Sequence, residues 1–142
     1  MTASSSKTAA GLRRYTLPMM IDQLETVRLG SPHELRTFPL GRLELYRLGG
    51  MELGRAVYQP GWRWSEHVGP QVGTALCEVE HVGLVLSGEA AVKMADGSER
   101  RLRAGAFFAV PAGHDSWVVG DQEYVSLHLL GAGTYARGDR QR

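Results

Sequence analysis

The spacing of apolar positions along this 142-residue chain changes near residue 42. Upstream, Leu17, Met20, Ile21, Leu24 and Val27 are spaced like one helix face, although Pro18 and β-branched neighbours work against it. Ser31-Pro32-His33-Glu34 is a sharper signal. The serine can cap, the proline suits a first helical position, and Glu34 stands where a capping box wants an acid. One helical turn is expected there, ending before Pro39. From Arg42 onward the pattern becomes short strands broken by turn residues, at 42–48, 52–59, 62–67, 79–87, 89–95, 98–103, 106–110, 114–119 and 123–130. Gly49-Gly50, Pro60-Gly61, Asp96-Gly97 and Ala104-Gly105 punctuate them, and Asp96-Gly97 predicts a tight hairpin. So many short strands with almost no helix predict an all-β sandwich or barrel.

Residues 1–16 read as a flexible arm of small polar residues, 17–132 as one barrel domain, and the Gly-, Arg- and Asp-rich 133–142 as a tail that frays. The 43% hydrophobic content is ordinary for a globular chain. Sixteen basic and fifteen acidic side chains leave a net charge of +1, which gives no electrostatic footprint for nucleic acid or an anionic membrane. A single cysteine, Cys77, excludes an internal disulfide framework and suits a reducing compartment. No apolar run resembles a signal peptide or membrane span. The expectation is a cytoplasmic protein.

The candidate chemistry lies in three histidines. His67 ends the segment that begins at Gly61, His114 ends the one that begins at Gly105, and His81 opens the strand leading to Gly88. Neutral imidazoles gathered by a small barrel bind transition metals. These segments resemble the cupin family, a small jelly-roll barrel. Gly61 and His67 match the start of its first motif, and Leu84-Val85-Leu86-Ser87-Gly88 resembles the strand that ends it. Gly105, Pro111 and Gly113 match the second motif in spacing. Pro60 to Val68 and Pro111 to Trp117 also resemble a subgroup of small cupins, largely of unassigned function. The resemblance covers about residues 42–130. It implies an all-β jelly-roll barrel with at most one short helix beside the flexible arm.

The chain departs from the family pattern at three ligand positions. Gly69 stands where a second histidine is usual, His81 replaces the usual acid, and the late histidine position holds Ser116. His114 lies two residues before Ser116 and shares its strand face. The remaining set, His67, His81 and His114, suits a divalent transition metal (Fe, Zn, Mn, Ni or Cu) with an open coordination position for water, O₂ or a substrate. Cys77 precedes His81 by four residues. On a continuous strand that separates them by about 13 Å, so Cys77 is read as a plain thiol unless the chain bends. Glu78 and Glu80 have the opposite parity to His81, and only a bulge would turn Glu80 inward. Glu66 and Asp115 likewise alternate away from their neighbouring histidines. Trp62, Trp64 and Trp117, with Arg55 or Tyr58 from the preceding strand, are candidates for a substrate pocket. His33 and His128 sit in no motif and are read as structural.

No nucleophile–base pairing, phosphate loop or nucleotide fingerprint is present. The resemblance therefore implies a metal-binding small-molecule protein, in an enzyme class such as dioxygenase, isomerase or decarboxylase. The alternative is a non-catalytic ligand-binding or sensory module. Val82, Leu84 and Leu86 on one strand face, with Val85 on the other, imply that both sheet faces are covered. A homodimer would cover them.

Overall fold

The computed structural model describes residues 21–137. Among these described residues, nine strands and two single-turn helices follow in order: β1 (Glu34–Phe38), β2 (Gly41–Leu48), β3 (Met51–Tyr58), α1 (Trp64–His67), α2 (Gly69–Val72), β4 (His81–Ser87), β5 (Glu89–Met94), β6 (Glu99–Arg103), β7 (Phe107–Val110), β8 (His114–Val118) and β9 (Tyr124–Leu130). All pairings are antiparallel. They form a six-stranded sheet ordered β1-β2-β3-β9-β4-β7 and a three-stranded sheet ordered β6-β5-β8. The two sheets enclose one core that includes Leu43, Leu45, Tyr58, Trp62, Trp64, Val85 and Tyr124. Among the described residues no helix is long and apolar enough to cross a membrane.

Strand alternation decides what faces this core. On β4 the buried set is His81, Gly83 and Val85, and on β9 it is Tyr124, Ser126 and His128. The Asp96-Gly97 signal forms its hairpin between β5 and β6. Gly97 takes φ +91°, and the Asp96 carboxylate accepts from the Ser98 backbone N–H at 2.9 Å. The helical turn expected at Ser31–Glu34 is absent. Glu34 to Phe38 pair with Leu45 to Gly41 instead, so the ladder with a strand carrying buried Leu43 and Leu45 overrides a local cap. Residues 21–27 hold no helix, and residues 17–20 of the helix-like spacing lie outside the described residues.

The strand expected at 62–67 is also absent. Gly61 takes φ +94°, the Trp62 backbone N–H bonds the Gln59 carbonyl at 3.0 Å, and Trp64 to His67 wind one helical turn. Pro70 in the first turn of α2 and Gly73 in a left-handed conformation bound the next turn. The alternation Trp62-x-Trp64 imitates a strand because both indoles are buried, but the chain turns between them.

The outer face of the large sheet carries a buried carboxylate. Glu44 accepts hydrogen bonds from Tyr46 at 2.7 Å, Arg55 at 2.9 Å and Arg42 at 3.0 Å. Burial alone would raise its pKa, but the bonds from Arg55, Tyr46 and Arg42 more than offset this and hold it low. Farther along the same face, Val82 and Leu84 are half-buried, Leu86 is exposed, and so is Phe107, which pairs with Leu84 from the neighbouring edge strand. The tail expected to fray packs instead through residue 137. Tyr135 and Ala136 are buried, and the Arg36 guanidinium donates to the Gly133 and Tyr135 carbonyls at 3.0 and 2.7 Å. The N-terminal arm and residues 138–142 lie outside the described residues.

Gly83 sits where β9 crosses closest. An added Cβ would strike the Leu127 carbonyl oxygen and stand 2.6 Å from the Phe108 ring. Gly83→Ala is expected to lower stability by about 3 kcal/mol, read as the urea midpoint. An unchanged midpoint would contradict this approach.

Candidate metal centre

Cys77 and His114 are joined as an isolated β-bridge. The Cys77 N–H donates to the His114 carbonyl at 2.8 Å, and the His114 N–H returns to the Cys77 carbonyl at 3.2 Å. Residues so paired carry their side chains on one face. From Cys77 the chain leaves β8 and enters the large sheet at His81, so residues 78–80 cross between sheets and are not strand. This bend overturns the separation expected for Cys77 and His81. The sulfur lies 3.5 Å from His81 Nε2. One ligand atom each from Cys77, His81 and His114 falls within 4.8 Å of the others, and all three residues are buried.

The hydrogen bonds around the cluster bear on its tautomers. His114 Nδ1 lies 2.7 Å from the Pro111 carbonyl. A carbonyl only accepts, so the proton sits on Nδ1 and the Nε2 lone pair is left available, the arrangement metal-ligating histidines need. His128, on the next strand, stands edge-on to His81 at a ring separation of 5.1 Å, and its Nε2 lies 3.2 Å from Ser126 Oγ. The Nδ1 atoms of His81 and His128 are buried without a partner in the protein. Orphaned polar atoms beside a thiol and imidazole lone pairs fit a site built around a further species.

Burial sets the protonation of these groups. It lowers the pKa of His81, with His128 and His114 adding, to about 2, and that of His128 to about 4. His114 is lowered for the same first reason. All three imidazoles are therefore neutral at pH 7 and able to ligate. Burial, with Glu78 and Asp115 adding against the Val79 carbonyl contact, pushes the Cys77 thiol up to about 12. Such a thiol ionises when a cation takes the place of its proton. A thiolate with two imidazoles suits Zn, Cu, Fe or Ni better than the oxygen-preferring Mn, Mg or Ca.

A cavity lies against the cluster. Tyr58, Trp62, Tyr124 and Tyr135 line it together with Val92, Leu102, Phe108 and Val110. Tyr58 stacks on Trp62 with ring centroids 3.8 Å apart, and the Tyr58 and Tyr135 hydroxyls share a 2.8 Å hydrogen bond. The free interior is about 40 Å³, room for about three water-sized molecules.

No protein-family model matches this sequence, and no curated protein is significantly similar to it. Solved structures do share its fold. A sugar phosphate isomerase from a cupin superfamily, from Silicibacter pomeroyi, aligns over 73% of both chains with TM-score 0.53 and 17% identity. The oxalate decarboxylase of Lactobacillus farciminis, in a formate complex, aligns with TM-score 0.52 and 16% identity over 81% of this chain and 36% of its own. A Rhizobium leguminosarum protein of unknown function aligns over 76% of this chain and 96% of its own, with TM-score 0.51 and 16% identity. The fold is a cupin fold.

Against the cupin motifs, the structure brings His81 and His114 together and sets His67 apart. His67 ends α1, and its Nδ1 accepts from the Arg63 N–H at 3.0 Å. It is outside the group of converging ligand atoms, because the expected strand is a helical turn. Cys77 stands in that group instead. Glu80 is exposed, not turned inward. Of the pocket candidates, Tyr58 and Trp62 line the cavity. Trp64 is packed in the core. Trp117 lies under the Arg63 guanidinium at 4.2 Å, and Arg55 is paired with Glu44 on the outer face. Asp115 accepts from the Ser65 N–H and hydroxyl at 3.0 and 2.8 Å and so satisfies an open N–H of α1. His128 carried one legible signal, its shared parity with Tyr124 and Ser126.

The depressed histidine pKa values give a signed pH dependence for metal-free protein. Each histidine binds a proton more readily unfolded than folded. Stability is thus intact above the ordinary value of 6.5 and is lost as pH falls toward about 4 for His128 and about 2 for His81. Each unfolded-state proton contributes about 1.4 kcal/mol per pH unit. The urea midpoint should drop between pH 7 and 5, where carboxylates do not yet titrate, and His128→Gln should flatten the slope. A level profile would contradict neutral burial of these rings.

Proposed function

We infer that this chain is a metal-binding small-molecule cupin whose divalent transition metal is held by Cys77, His81 and His114. The observation that carries this reading is the convergence of their three buried donor atoms within 4.8 Å. A metal so held by three protein ligands keeps an open position, where it supplies Lewis-acid polarisation or activation of a bound small molecule. The protein's own part is to exclude water with the Trp62–Tyr58 wall and to hold His114 in one tautomer through Pro111. Two solved cupins with similar folds are described as a sugar phosphate isomerase and an oxalate decarboxylase, which supports a small-molecule substrate in an enzyme of isomerase, decarboxylase or dioxygenase class.

A specific observation favours the second reading, a ligand-binding module without chemistry. Burial pushes His81 and His128 far below neutrality and raises Tyr58, Tyr124 and Tyr135. None of these cavity groups is poised near pH 7 for general acid–base work. A ligand that raises the melting temperature of metal-loaded protein without forming product supports the module, and turnover supports the enzyme.

Untagged protein is expected to hold close to one equivalent of transition metal by elemental mass spectrometry. His81→Ala and Cys77→Ala should reduce it at least tenfold, while His67→Ala retains it. Loss of metal in His67→Ala with retention in Cys77→Ala would overturn the assignment.

A further inference from the structure

We propose that the cavity beside Cys77, His81 and His114 accepts one small monoanion and turns away dianions such as dicarboxylates and phosphate monoesters. The inference rests on the metal reading above and concerns what that site admits. Its ground is a count of charges in a mostly apolar cavity. A divalent cation with one thiolate and two neutral imidazoles carries a net charge of +1. Among the described residues, the cavity wall holds aromatic, aliphatic, serine and histidine side chains, and no lysine, arginine, aspartate or glutamate. One monoanion neutralises the site. A dianion leaves the site with a net charge of −1 that no side chain of the cavity wall offsets, so its desolvation is poorly compensated.

The surroundings act in the same direction. The carboxylates whose field is felt at the Cys77 sulfur are Glu78 and Asp115, both negative. Inside the chamber, Tyr58 and Tyr135 share one hydrogen bond but carry two hydroxyl protons, so the pair keeps one O–H to donate to an anion's oxygen. The uncharged wall limits the charge an anion can bring. The free volume of about 40 Å³ restricts it to a small anion. On this account the chain refuses the dianions named by its two solved neighbours, oxalate and a sugar phosphate.

The test uses the full chain loaded with Co(II), whose sulfur-to-cobalt charge-transfer and visible bands report the thiolate and any added ligand. Oxamate and oxalate have nearly the same shape and differ by one charge. Titration at constant ionic strength should show oxamate, azide or formate shifting the visible bands, with oxalate weaker than oxamate by at least on the order of tenfold. Oxalate binding as tightly as oxamate overturns the inference, as do bands indifferent to all three monoanions. Protein that takes up no cobalt, or takes it up without the sulfur band, overturns the metal reading itself and so is told apart from a failure of selectivity.

Discussion

The pair of main-chain hydrogen bonds between Cys77 and His114 is the constraint from which the rest of the site follows. The bridge fixes Cys77 to the start of β8, yet His81 begins a strand of the opposite sheet. Residues 78–80 must therefore cross the barrel wall, and the crossing folds the sulfur back to 3.5 Å from His81 Nε2. Gly113 enters the bridge with φ +91° and also donates to the Cys77 carbonyl at 2.8 Å. A second-motif glycine thus serves the site by letting the backbone turn into β8 at the cysteine. Two candidate ligand residues and the start of β8 are positioned by one local backbone arrangement, held in register by the ladder between β8 and β5.

Burial does two things at once in this site. It keeps the imidazoles of His81, His114 and His128 neutral, with lone pairs available, and it keeps the Cys77 thiol protonated until a cation arrives. The cluster without metal carries no charge, so the barrel folds around it without burying an ion. On the proposed reading, metal uptake would exchange the thiol proton for a cation and leave the site singly positive beside aromatic and aliphatic walls. The carboxylates outside the cavity are handled separately. Glu44 and its arginines sit on the outer face, and Asp115 is spent on α1 and Arg63. Neither carboxylate is left over for the cavity.

The sequence showed the strands well because turn residues bound them and because alternation survives in β4 and β9, where one face is buried. His81 and His114 were legible for the same reason, each being the inward residue at the start of a strand. Trp62 to His67 misled because two buried indoles two residues apart satisfy strand parity and a tight turn equally well. With that turn, His67 left the candidate set. Cys77 was hidden by an assumption of extended backbone to His81, and only the crossing between sheets removes it. His128 lacked any neighbouring motif, although Tyr124, Ser126 and His128 announce one buried face. β1 was masked by a capping pattern, since its stability comes from pairing with a strand elsewhere in the chain.

The most direct measurement is X-ray absorption at the metal edge of protein loaded with zinc or cobalt. The account predicts one sulfur scatterer at about 2.3 Å together with imidazole nitrogen scattering, and loss of the sulfur shell in Cys77→Ser. A first shell made only of nitrogen and oxygen in the wild-type protein would contradict it, because Cys77 would then be a buried thiol beside the site and not one of its ligands.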